Sequence, residues 1–272
     1  MSNWQIHIDG IGLFGPGLDG WAHAQEVLAG RAPLELGALR LPVPDALPPA
    51  ERRRVGLTLK LAMACGFEAV RHAGADAATL PVVFSSTAGD CDNCHQILDA
   101  LASPDRAVSP TRFHNAVHNM PAGYWSIATG CMAPSTSLCA YDATFAAGML
   151  EAVTQALCTR QPCLLIAFDS AYPEPLQALR PVPHAFGVGL LLSPVRTSAT
   201  LATLDLALTD APVTLMPDAA REDLRARIPS ARALPVMQAL ALQREASVVI
   251  EYLDALRLAV RVTPGAHPDA RP

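Results

Sequence analysis

Apolar and polar residues alternate through residues 4–9 (WQIHID), the pattern of a strand, and glycines follow at once. Asp19 stands where it can cap a helix over residues 20–29, which Gly30 would end. Residues 31–50 hold five prolines and no period, and read as a surface loop. A helix is predicted over 49–72, basic at first, with Leu57, Leu61, Ala64, Cys65 and Ala69 on one apolar face. The pattern then predicts a buried strand over 81–85, a helix over 94–101, a strand over 136–141 and a small-residue helix over 142–159. Strands follow at 163–168, 186–193 and 200–209, and segments 246–252 and 257–262 read as an antiparallel pair. The closing PGAHPDARP reads as a frayed end. Strand and helix alternate in the first two thirds, which predicts an α/β protein with a mixed sheet.

Composition narrows the function classes. The 272 residues are 51% hydrophobic and 17% charged, enough for one large domain or two small ones with a buried core. The longest apolar runs, near 163–168 and 187–192, are strand-sized, so no membrane span is expected. The opening MSNWQIHIDG lacks the basic region and apolar stretch of a secretory signal, and a cytoplasmic location follows as an expectation. A net charge of −5 with scattered cations gives no footing for nucleic acid or an anionic membrane. Seven cysteines, an odd number in a chain without a signal, read as reduced thiols.

Three motifs suggest ligands. Gly10, Gly12 and Gly15 form G-x-G-x-x-G, the dinucleotide fingerprint, but Pro16, Gly17 and Leu18 separate it from the next helix. No strand ending in an acid follows at the distance that holds a ribose, so a glycine-rich strand-to-helix turn is expected and no nucleotide cofactor. Cys91-Asp92-Asn93-Cys94-His95 matches the haem-attachment pattern, which needs export, and zinc would need further ligands. A loop leading into a helix is expected there, with no metal. His114 and His118 are spaced H-x-x-x-H without the acid of a metalloprotease. In the polar HNAVHN run, His114, Asn115, His118 and Asn119 can fix a loop through hydrogen bonds, or serve binding or an interface. Both readings stand.

The segments WQIHIDGIGLFGPGLDGWAHAQEVLAGRAP, PVVFSSTAGD, SPTRFHNAVHNMPAGYWSIATGCMAPSTS and HAFGVGLLLSP together resemble the β-ketoacyl synthases over about residues 3–195. The resemblance implies a thiolase-like (ketosynthase) fold, mixed sheets in layers with helices. Residues 1–195 would form the ketosynthase-like N-terminal half, and residues 196–272 a reduced remnant of a truncated second half. It also aligns Asp142 with the nucleophile cysteine of active members, while Cys139 falls three residues earlier, on the predicted strand. The family's catalytic histidine motifs have no counterpart, since His184 and His267 lie outside any H-x-G-T context. No catalytic residue is therefore expected.

Asp142 is expected to cap its helix, and Cys139 to be an inert core thiol. The resemblance is nearest to chain length factors, of the short type found with bacterial aryl polyene synthesis. It implies a heterodimer with a full-length β-ketoacyl-ACP synthase, served by an acyl carrier protein. Phe113, Met120 and Tyr124 are the expected interface anchors, with Tyr141 and Asp142 at the tunnel. The rival readings are an acyltransferase or malonyl decarboxylase using Asp142, Cys139 or His114, and a homodimeric scaffold.

Overall fold

The computed structural model describes residues 4–265. Residues 266–272, with His267 and most of the expected frayed end, lie outside them. Strand β1 (Trp4–Gly15) and the two-residue β2 (Leu18–Asp19) lead into helix α1 (Trp21–Leu28). A long connection and one helical turn, α2 (Pro49–Arg52), precede α3 (Leu57–Ala73). After β3 (Val82–Ser85) come α4 (Cys91–Ala102), α5 (Pro110–His114), α6 (Met120–Thr129) and β4 (Ser135–Leu138). A 3-10 turn (Tyr141–Ala143) opens into α7 (Thr144–Thr159), followed by β5 (Cys163–Asp169), α8 (Leu176–Leu179) and β6 (Phe186–Ser193). Beyond these lie β7 (Ala202–Thr209), α9 (Ala219–Arg227), a 3-10 turn (Pro229–Ala233), α10 (Leu234–Leu242), β8 (Ala246–Glu251) and β9 (Arg257–Pro264).

The described strands join one sheet in the order β4-β3-β5-β6-β1-β7-β9-β8, with β2 paired to β1. The β3 pairs with β4 and β5 are parallel; the others are antiparallel. Side chains alternate across the pleat and feed two cores. Val82, Phe84, Leu164, Ile166 and Phe168 pack with α3 and Trp125 of α6. Val83, Leu165, Ala167, Val188 and Leu190 pack with α1, α7 and α10. Strands β3, β5 and β6 are buried on both faces, which is why they read as unbroken apolar runs. Among the described residues, no helix is long and apolar enough to cross a membrane.

Glycine corrects the sequence reading most. The G-x-G-x-x-G run is not a strand-to-helix turn; β1 continues through it to Gly15. Gly12 lies opposite Gly189 of β6, and α3 presses onto this bare patch. A Cβ on Gly12 would lie 2.2 Å from the Cys65 carbonyl oxygen, and one on Gly10 would lie 2.1 Å from that of Ala69. These glycines let a helix approach the sheet.

Helix α1 also differs from expectation. Asp19 belongs to β2, and the N-cap is Gly20 at φ 84°, with no side-chain cap. The Trp21 amide instead donates to Glu68 Oε1 of α3 at 2.6 Å. The helix expected over 49–72 breaks into α2 and α3, with Gly56 capping the second in an extended conformation.

Candidate functional site

Strand β4 is an edge of the sheet and ends at Leu138, so the chain turns to enter α7 at an exposed rim. Tyr141 sits in this turn at φ 52°, a left-handed conformation that costs a bulky residue free energy. Two threonines over-determine it. Thr87 Oγ1 donates to the Tyr141 carbonyl at 2.7 Å, and Thr144 Oγ1 reaches the same oxygen at 2.5 Å. The Ala140 amide donates to Thr144 Oγ1 at 3.1 Å.

Asp142 follows, and two arginines take its carboxylate. Arg180 Nη2 hydrogen-bonds Oδ1. Arg232 Nη2 lies 3.4 Å from Oδ2, and its Nη1 donates to the Asp142 carbonyl at 2.8 Å. Arg180 also donates to the Tyr172 hydroxyl at 2.8 Å and stacks 3.9 Å above the centroid of the Tyr141 ring. Asp142 therefore does not cap α7 as expected: the N-cap is Ala143, without a side-chain hydrogen bond, because the carboxylate is engaged by guanidinium groups instead. Burial, the largest single influence, works to lower the Arg180 pKa, but the hydrogen bond to Asp142 and the charges of Tyr172, Asp142 and Tyr141 together outweigh it and the shift is upward. Each oxygen of the Asp142 carboxylate thus faces a guanidinium group.

Beneath this cluster lies Asp169, the last residue of β5, almost fully buried. Its carboxylate accepts from the Thr87 amide at 2.9 Å and the Ser230 amide at 2.7 Å. Burial raises its pKa to about 6, against the pull of those two amides. Asp169, Tyr172, Arg180 and Arg232 escaped the sequence reading. Arg180 and Arg232 lie 38 and 90 residues from Asp142, and no local spacing joins them.

The 109–127 segment divides differently from expectation. Phe113 is 71% exposed, as an interface anchor would be. Met120 and Tyr124 are not surface anchors: they are buried in the chain's own core with Leu47, Val55, Leu59 and Met63, because the apolar face of α6 turns toward α3. Asn115 holds the loop, donating from Nδ2 to the Arg54 carbonyl at 2.9 Å and accepting from the Tyr124 hydroxyl at 3.1 Å. His118 Nε2 meets the Ser86 carbonyl at 3.0 Å. His114 and Asn119 are exposed and, among the described residues, make no side-chain hydrogen bond. The loop-fixing role thus falls to Asn115 and His118 and not to His114 or Asn119.

Cys139 is a further correction. It is exposed, since β4 stops one residue before it and the edge of the sheet leaves it uncovered. The Cys91–His95 segment is no loop: Cys91 opens α4 itself, with Asp90 as N-cap. Among the described residues, no group of three or more His, Cys, Asp or Glu side chains is placed to hold a metal ion. A 710 Å³ groove lined by Trp21, Gln25, His72, Leu240 and Val262 lies among α1, α10 and β9 and includes neither Asp142 nor its arginines.

The family model for the β-ketoacyl synthase N-terminal domain matches residues 21–252. Among solved structures, the chain is similar to a ketosynthase (ApeO) in complex with its chain length factor (ApeC) from Xenorhabdus doucetiae. The TM-score is 0.71 at 20% identity, covering 94% of this chain and 99% of that one. It is also similar to the ishigamide ketosynthase/chain length factor, with TM-score 0.70 and 14% identity over 96% of this chain and 99% of that one. A third likeness is to AntDE:AntF, a type II PKS acyl-carrier protein in complex with its ketosynthase bound to the hexaketide. There the TM-score is 0.75 at 11% identity, over 97% of this chain and 100% of that one. At these identities the likeness is one of fold. No curated protein matches the chain.

Proposed function

Because the chain belongs to the β-ketoacyl synthase family and has the thiolase-like ketosynthase fold, we propose that it is a non-catalytic subunit of the chain length factor kind. It pairs with a full-length β-ketoacyl-ACP synthase in the cytoplasm and bounds the tunnel of the growing acyl chain. Acyl carrier protein delivers substrate to that complex, and the product is of the aryl polyene type. In this reading residues 1–195 supply the ketosynthase-like half, and residues 196–272 add β7, β8 and β9 to its sheet.

The observation that carries the reading is Asp142 held between Arg180 and Arg232 at the start of α7. The proposal assigns that place to the nucleophile of active members. A carboxylate there cannot carry an acyl chain as a thioester, and both of its oxygens are engaged by guanidinium groups. The surface around β4 supports pairing. The outer edge of β4 has no strand partner among the described residues, and Met132 before it is 93% exposed. Phe113, Val117 and Tyr141 are exposed as well. Open sheet edges and apolar surface of this kind invite another chain.

The test is to co-express the chain with a full-length ketosynthase from the same organism and to supply acyl and malonyl carrier proteins. A 1:1 complex is expected, with 3-ketoacyl product only when both chains are present and the acyl group only on the partner's cysteine. Asp142→Cys, assayed without the partner, should give no product, because groups that act as a unit are not recovered singly. A monomer that ignores the partner in gel filtration, or turnover by Asp142→Cys alone, would refute the reading.

A further inference from the structure

The Cys91-Asp92-Asn93-Cys94 motif plays no part in the function proposed above. Its cysteines fall three residues apart on the first turn of α4. Asp90 fixes that turn: its carboxylate accepts from the Asn93 amide at 3.0 Å, and its carbonyl from the Cys94 amide at 3.1 Å. Residues so spaced on a helix have Cα atoms about 5 Å apart, within the Cα separation that a disulfide spans.

Exposure divides the labour. Cys94 is exposed and Cys91 half-buried, packed against the main core. Cys65, Cys131 and Cys163 are buried, while Cys139 follows β4 and Cys158 lies near the end of α7, both exposed. A metal is a poor alternative occupant. His95 Nε2 sits 3.2 Å from Asp99 Oδ2, and no third ligand gathers here among the described residues.

We propose that Cys91 and Cys94 form a reversible disulfide, which makes the first turn of α4 a site of redox modification. The oxidant is a small-molecule disulfide of the glutathione class. The Cys94 thiolate attacks one of its sulfurs, forming a mixed disulfide and releasing one thiol. Cys91 then gives its proton to solvent and attacks the Cys94 sulfur, expelling the second thiol. The pair loses two protons and two electrons, and the oxidant is reduced to two thiols. Burial raises the Cys91 thiol to about 11, with Cys94, Asp90 and Asp169 adding to the shift and Arg180 opposing it. The second step is therefore slow at neutral pH and accelerates about tenfold per pH unit below that value. Four residues before Cys91, the Thr87 amide donates to Asp169 at 2.9 Å and its hydroxyl to the Tyr141 carbonyl at 2.7 Å, which puts the pair near the Asp142 cluster. Its chemistry does not depend on whether the chain pairs with a ketosynthase.

The experiment incubates the full chain in glutathione buffers from reducing to oxidising, quenches with acid, blocks free thiols with a maleimide and maps the peptides by mass spectrometry. Wild type should yield a Cys91–Cys94 disulfide free of glutathione, reversed by dithiothreitol and closing about 100-fold faster at pH 9 than at pH 7. Cys91→Ser should stop with glutathione on Cys94, and Cys94→Ser should leave Cys91 largely unmodified. The proposal is overturned if glutathione stays on Cys94 of wild type at equilibrium. Blocking of both thiols at every ratio, or Cys94 joined to Cys139 or Cys158, overturns it equally.

Discussion

Gly12→Ala should destabilise the protein by about 3 kcal/mol or more, although it adds a single methyl group. The new Cβ would stand 2.2 Å from the Cys65 carbonyl oxygen and 3.0 Å from its carbon. Those atoms are helix backbone and cannot rotate away, so α3 must lift from the sheet. Lifting it loosens the packing of Leu61, Ala62, Cys65 and Ala69 against Leu164, Ile166 and Phe168. Gly123→Ala makes the control, because Gly123 is exposed within α6 and nothing lies within 4 Å of its Cβ position. There the methyl should stabilise by up to ~1 kcal/mol, since alanine is the better helix former. Urea unfolding of both variants, with the slope checked against wild type, reads the difference. A Gly12→Ala midpoint close to wild type would mean that the glycine patch is not what seats α3.

The same glycines show what the sequence could and could not reveal. Fully apolar segments marked β3, β5 and β6 because burial on both faces removes every polar position. The alternation of β8 and β9 was equally plain, one face being covered and the other open. A glycine in a strand and a glycine in a turn look alike locally, so the sequence pattern alone ends β1 too early; the helix that demands those glycines lies some 50 residues on. Helix α10 gave no signal because it is buried on nearly every side and lacks a polar face to reveal its period. At the candidate site, aligned segments could single out Asp142, but its partners arrive from α8's exit and the turn before α10. Met120 and Tyr124 look like surface anchors in a polar segment, and only the lie of α6 on α3 turns them inward.

Stability should fall as pH rises from about 4 to about 7 wherever Asp169 governs it. The carboxyl is enclosed at the end of β5, and its pKa is raised from 3.8 to about 6, chiefly by burial. A raised pKa means that the folded state binds the proton more tightly than the unfolded chain. The resulting stabilisation is fully present below the unfolded value and is lost as pH climbs through the folded one. Two pKa units correspond to about 3 kcal/mol across that window. Above it the carboxylate still accepts from the Thr87 and Ser230 amides, so the charged form is held, at a desolvation cost, and not expelled. Asp169→Asn removes the titration while keeping the shape. Unfolding by urea at pH 4.5, 5.5, 6.5 and 7.5 should show wild type losing about 2 kcal/mol relative to that variant as pH rises. A constant difference, or one that grows in favour of wild type with pH, would place the proton elsewhere. Asp169→Ala should be worse than the Asn variant at every pH, by about 1–3 kcal/mol, because it leaves both amides without an acceptor where β5, the Thr87 loop and the turn before α10 meet.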